Sequence, residues 1–206
     1  MRTRVYLVDD HEAILKMLEY ALPRLMKCEI VGTSQTAAAA LKSLVRTKVD
    51  VLWIDMCLPE LDGPGLLRLL RSRGMEYRSV LCTGISNPGR IREAMHAAPA
   101  CFVSKGDELS CWRKALDTAA RGGRYVSPQI AAAIDHSQDT GLAQLSDMER
   151  VVFSLIVRDA PRDYIASLLN ISPHTVRHHR ERLMTKLNAH SVAELCAIAA
   201  RTGLLL

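Results

Sequence analysis

The sequence predicts a two-part chain of α/β plus all-α class. A doubly wound (βα)5 domain spans residues 1–125, a linker spans 126–145, and a four-helix domain spans 146–206. Three observations carry this. Short apolar runs alternate with helix-period stretches five times in the first 125 residues, the pattern of a parallel sheet covered on both faces. Those runs are continuously apolar rather than alternating, as strands buried on both sides are. After "RGGRYVSPQ" (121–129) the strand signals stop, and helix caps with tight connections take over.

The first strand, 5–8, runs into Asp9-Asp10, and a helix-period stretch follows over 12–22. Strand two, 28–31, ends in Gly32-Thr33-Ser34 with no titratable side chain, which suits a sheet edge; helix two covers 37–46. The third run, 49–54, stops on Asp55; Pro59 and Asp62-Gly63 then turn the chain into helix three, 64–73. Strand four, 79–82, ends in Thr83-Gly84 before helix four, 90–97; strand five, 101–103, leads to Lys105-Gly106 and helix five, 108–121. The Gly122-Gly123 pair closes that helix. The linker carries Ser, Gln, Asp, Thr and Gly around a short apolar patch at 130–134. Ser146 and Glu149 have capping-box spacing and open a helix to about 157. Pro161 starts a second, to about 169. Ser172-Pro173 gives the third an N-cap and a proline at N1, and it runs to about 188. Ser191 caps the fourth, which reaches 201 before Gly203.

Composition bounds what such a chain can be. With 49% hydrophobic and 24% charged residues it can bury a core, and with only 4% aromatics that core must be aliphatic. No apolar run approaches the ~18 residues of a membrane span, and "MRTRVYLVDD" lacks a signal-peptide h-region. The expected setting is therefore cytoplasmic, with no membrane partner. The six cysteines (28, 57, 82, 101, 111, 196) form no CxxC pair and are expected as reduced thiols. The net charge of +5 lies in the first 125 residues, with 19 Lys/Arg against 14 Asp/Glu; the remainder balances at 8 and 8. Net charge thus does not single out the helical domain as a nucleic-acid binder; only clustering on one helix face can.

In an open parallel sheet, ligands bind at the carboxyl ends of the strands. Here those ends carry Asp9-Asp10, Asp55, Thr83 and Lys105. Three carboxylates at one rim repel one another unless a cation joins them, and Mg²⁺ with oxygen ligands is the natural choice. A carboxylate held there can attack a phosphoryl donor. Mg²⁺ and Lys105 would offset the incoming charge, and the Thr83 hydroxyl can donate to a phosphoryl oxygen.

Residues 1–125 resemble the receiver domain of two-component response regulators, through Asp9-Asp10, "DMCLPELDG" from Asp55, Thr83, and "FVSK" ending at Lys105. The resemblance implies a parallel sheet of order 2-1-3-4-5, with Asp55 as phosphoacceptor. It further implies Mg²⁺ held by Asp10, Asp55 and the backbone carbonyl of Cys57, with Asp9 assisting, and Thr83 and Lys105 on the phosphoryl group. Thr83 and Phe102 fall at the family's switch positions. Two stretches depart from the family. "AAPAC" (97–101) replaces a glycine-bearing approach to strand five, which is expected to stiffen it, and Asn87-Pro88-Gly89 is expected to interrupt the start of helix four.

In the third C-terminal helix Val176, Leu183 and Leu187 make one apolar stripe, while Thr175, Arg177, His178, Arg180, Glu181, Arg182 and Lys186 occupy the remaining surface. A cationic helix held by a short turn against a scaffold helix fits the DNA major groove. "LSDMERVVFSL", "IASLLNISPHTVRHH" and "KLNAHSVAEL" resemble the LuxR-type helix-turn-helix of the NarL/FixJ class. That resemblance puts Arg177, His178 and Glu181 at base edges, Arg180, Arg182 and Lys186 at phosphates, Thr175 and the helix start at a phosphate, and the last helix in a homodimer. The scaffold helix departs from the family's "GxSNKEIA": residues 159–166 read "DAPRDYIA".

The implied protein is a non-enzymatic transcription regulator, at most self-phosphorylating and self-dephosphorylating, with a sensor histidine kinase and double-stranded DNA as partners. One alternative is a phosphorylation-independent regulator whose receiver serves only to dimerise. A phosphohydrolase would need a second acid two residues after Asp55, where this chain has Cys57. His174 and His178 have chelating spacing but no third ligand of the right type in view.

Overall fold

The computed structural model describes residues 2–84, 87–135, 142 and 144–202. The middle of the expected linker and the stop at Gly203 with the residues after it lie outside those described. Six parallel strands form one sheet: β1 (Thr3–Val8), β2 (Cys28–Ser34), β3 (Val51–Asp55), β4 (Arg78–Thr83), β5 (Cys101–Ser104) and β6 (Tyr125–Val126). Their order is β2-β1-β3-β4-β5-β6, the expected 2-1-3-4-5 extended by a short strand that the sequence reading missed. Two residues carry too little pattern for periodicity to register.

Helices α1 (Glu12–Leu25), α2 (Ala37–Leu44), α3 (Gly63–Ser72), α4 (Pro88–Met95) and α5 (Leu109–Ala120) are the crossovers. Alternate side chains of each strand feed opposite cores. Val5, Leu7, Val51, Trp53, Val80 and Val103 pack on α1 and α5 through Leu15, Leu18, Trp112 and Leu116. Tyr6, Leu52, Ile54, Leu81 and Phe102 pack on the other face, against Leu41, Leu66, Leu70 and Ile91. Burial of every residue of β3 explains its continuous apolar run.

The two departures resolve differently. Asn87 begins α4 rather than interrupting it: its side-chain oxygen accepts from the Arg90 amide at 3.2 Å, with Pro88 at the first turn. Ala98, by contrast, sits at φ +49°, the left-handed region that a glycine would occupy without strain.

Beyond β6 the chain forms α6 (Pro128–Asp135), so the first part of the expected linker is ordered structure. The C-terminal helices are α7 (Asp147–Val157), α8 (Arg162–Leu169), α9 (Pro173–Leu187) and α10 (Val192–Arg201). The Ser146/Glu149 capping box is complete, and Ser172 and Ser191 cap α9 and α10. Phe153, Val157, Leu183, Leu195 and Ala199 form the core of this domain. Of the expected α9 stripe, Val176 and Leu183 are buried and Leu187 is half-buried.

The two domains share a core. Val151, Val152 and Leu155 of α7 and Ile165 and Leu169 of α8 belong to the same apolar cluster as Leu66 and Leu70 of α3. Ion pairs flank it. Glu93 of α4 receives Arg68 of α3 at 2.8 Å and also Arg150 of α7, and Arg71 meets Asp147 at 2.8 Å. Arg158, which closes α7, pairs with Asp62 at 3.0 Å.

Candidate phosphorylation site and DNA-reading helix

The tips of β1, β3, β4 and β5 meet at one rim. Asp55 is 3% exposed. Burial and the neighbouring Asp9 carboxylate together outweigh the nearby Lys105, so its pKa lies above the ordinary value. The Lys105 ammonium bridges the cluster, 2.8 Å from Asp9 Oδ2 and 3.2 Å from Asp55 Oδ1. Burial opposes its charge, but the two carboxylates win, and its pKa is raised. Thr83 is fully buried, and its carbonyl accepts from the Lys105 amide at 2.6 Å, tying strands four and five together at the site. Cys57 is half-buried, with its thiol pushed up by burial and lying 3.8 Å from an Arg90 nitrogen. Phe102 is wholly buried beside Leu81, Ile91 and Ala94.

Asp9, Asp10, His11 and Asp55 each offer a ligand atom, all within 4.8 Å of one another. Asp10 Oδ1 is shielded from solvent and accepts no well-aligned hydrogen bond, although His11 Nδ1 lies 2.7 Å away. Hard oxygen donors, an excess of negative charge and an orphaned carboxylate oxygen fit a divalent cation such as Mg²⁺.

Sequence reading placed these residues at one rim but missed what holds them. Asp107 accepts from the Ser104 amide at 2.6 Å, and the Trp112 indole donates to the Ser104 carbonyl at 3.0 Å, fixing the turn that presents Lys105. Strand-end rules carry no signal for either. His11, at the N-cap position of α1, contacts both acidic residues.

On α9, Arg177, His178, Arg180, Glu181 and Arg182 are exposed and Thr175 is half-buried. Glu181 Oε1 is 3.7 Å from Arg177, and its Oε2 is 3.8 Å from His178. Lys186 is exposed but pairs with Glu149 of α7 at 2.7 Å.

An acidic pocket at the carboxyl edge of a doubly wound sheet is thus joined to a helix-turn-helix whose exposed face is rich in arginine. Residues 5–116 match the response regulator receiver domain, and residues 143–199 match the LuxR family of bacterial regulatory proteins. The chain belongs to the response regulators, in their NarL/FixJ class. It is 32% identical to the transcriptional regulatory protein FixJ of Rhizobium meliloti over 97% of this chain and 96% of that one. It is 29% identical to the response regulator UvrY of Escherichia coli K12, over 97% and 94%. Among solved structures, that of the response regulator RcsB in complex with DNA covers 98% of this chain and 99% of its own, with a TM-score of 0.64 at 20% identity. That likeness shows the shared two-domain fold. Among the described residues, no helix is long and apolar enough to cross a membrane.

Proposed function

We propose that a sensor histidine kinase phosphorylates Asp55, and that the phosphoryl group controls dimerisation and sequence-specific DNA binding, and so transcription. The observation that supports this best is the convergence of Asp9, Asp10, Asp55 and Lys105 within a few ångströms at the carboxyl edge of the sheet. An Asp55 oxygen attacks phosphorus in line, the P–O bond forms, and the bond from phosphorus to the donor's nitrogen breaks. Lys105 leaves its bridge between Asp9 and Asp55 to pair with the new phosphoryl oxygens, and the Thr83 hydroxyl donates a hydrogen bond to another. Asp10, Asp55 and the Cys57 carbonyl would hold Mg²⁺ with Asp9 beside them, and the ion supplies charge neutralisation at the phosphoryl oxygens. Rigid strand ends hold the backbones that carry Asp55 and Thr83.

On α9, Arg177 donates bidentately to guanine and Glu181 accepts from a cytosine amine, with His178 beside them. Arg180, Arg182 and Thr175 contact phosphates. Lys186 adds to them only if it leaves Glu149. The cytoplasm is the setting this chemistry requires, since kinase, Mg²⁺ and DNA meet there.

Incubation with a small phosphodonor and MgCl₂, followed by phosphate-affinity electrophoresis, tests the reading. A retarded band that disappears in Asp55→Asn supports it. An unshifted wild-type band would favour the phosphorylation-independent alternative.

A further inference from the structure

We propose that Arg158, a residue of the DNA-binding domain, is a positioning residue for the metal and phosphoryl site of the receiver. This rests on the reading of Asp55 above. The loop between β3 and α3 carries the Cys57 carbonyl, and the C-terminal domain grips that loop at alternate residues. Arg158 Nη1 donates to the Leu58 carbonyl at 3.1 Å, and Nη2 donates to Asp62 Oδ2 at 3.0 Å. The Tyr164 hydroxyl donates to the Glu60 carboxylate. Cys57 is the residue immediately before the first of these three.

Several features show that the loop needs holding and that its position reaches Asp55. Glu60 sits at φ +62°, a conformation that a non-glycine residue keeps only where its surroundings impose it. Asp62 spends its other oxygen on the Gly65 amide, 2.8 Å away, so Arg158 and the α3 N-terminus fix both ends of one buried carboxylate. A Cβ at Gly63 would lie 2.4 Å from the Asp55 carbonyl, so the far end of the loop rests on the backbone of Asp55 itself. The Met56 amide donates to the Cys82 carbonyl at 2.8 Å, and the Gly63 amide donates to the Met56 carbonyl at 3.1 Å, closing the loop on β4.

A ligand carbonyl held in place before the metal arrives binds it more tightly than one that must first be ordered. The Arg158 clasp therefore raises Mg²⁺ affinity. By reciprocity, Mg²⁺ tightens the domain contact by the same factor. The base-reading residues Arg177, His178 and Glu181 remain exposed while the clasp is formed, so the contact and the reading face coexist.

The test is a MgCl₂ titration of the full chain followed by tryptophan fluorescence. Both tryptophans report on the site: Trp53 lies two residues before Asp55, and Trp112 holds the turn before Lys105. In Arg158→Ala the half-saturating Mg²⁺ concentration rises about three- to tenfold, and phosphorylation by a small phosphodonor, slowed at low Mg²⁺, recovers as Mg²⁺ is raised. Arg158→Lys, which keeps the charge but only one donor group, falls between. Arg162→Ala, on the exposed start of α8, behaves as wild type and controls for general effects on the domain. An Arg158→Ala protein that binds Mg²⁺ as wild type does, or more tightly, overturns the proposal. A wild-type chain with neither a Mg²⁺ response nor a phosphoryl group on Asp55 would instead sink the reading beneath it.

Discussion

Glu93→Gln takes away the charge on which two arginines converge. The Glu93 side chain is 4% exposed, and those of Arg68 and Arg150 are 2% and 6% exposed. Burial already lowers the pKa of Arg68 despite Glu93. Removing one partner of a buried pair costs about 3–5 kcal/mol, because the remaining charge stays out of water. Two features pull the expected loss to the low end. Glutamine keeps a carbonyl acceptor, and Asp147 remains 3.8 Å from Arg68 Nε. We therefore expect a loss of about 3 kcal/mol. With a urea m-value of about 2 kcal/mol/M, the midpoint falls by roughly 1.5 M. Urea unfolding should be followed by tryptophan fluorescence, since both tryptophans lie in the receiver, and in parallel by far-UV circular dichroism, which sees all helices. Because Arg150 comes from the other domain, the two curves should also separate in the variant. A midpoint within about 0.3 M of wild type, with coincident curves, would refute the view that Glu93 joins the domains.

Four further outcomes are expected. Ala98→Gly should stabilise the chain by about 0.5–1 kcal/mol in the same urea assay, by relieving the left-handed backbone; a loss of stability would show that the strain is not there. In Mg²⁺-free buffer Asp55→Asn should raise the unfolding midpoint, because burial and Asp9 disfavour the charged carboxylate; saturating Mg²⁺ should reverse the order, and an order indifferent to Mg²⁺ would count against the metal site. Burial of Glu149 is outweighed by Lys186 and the Ser146 donors, so its pKa is lowered; its stabilisation is present above the unfolded value and lost as pH falls through the folded one, and Lys186→Gln should lose less stability than wild type between pH 7 and about pH 3. Arg177→Ala should relax base preference in a binding-site selection, whereas Arg180→Ala should weaken all sequences alike and reduce the salt slope by about 1; the reverse pattern would exchange their roles.

The receiver was legible because each chemical group sits at or just past a strand end, and strand ends announce themselves where apolar runs stop on Asp9, Asp55 and Thr83, with Lys105 shortly after the last run. The caps at Ser146, Ser172 and Ser191 were equally legible, since capping is local in sequence. What escaped was either too short or too remote. β6 is two residues long. Arg158 meets Asp62 across 96 positions and Glu93 meets Arg150 across 57, and nothing in the spacing of charges foretells such pairs. Lys186 reads as a phosphate contact only through the family resemblance, and the packing of α9 on α7 instead brings Glu149 within reach of it.

The central claim is that a phosphoryl group on Asp55 governs the grip on DNA. The most direct measurement is fluorescence anisotropy of the full chain on a site obtained by selection, before and after treatment with phosphodonor and MgCl₂, with Asp55→Asn in parallel. Tighter binding that requires both the treatment and Asp55, with half-site spacing dependence, is the expected result. Equal affinity in all four samples, despite phosphoryl incorporation confirmed by intact mass, would contradict the account.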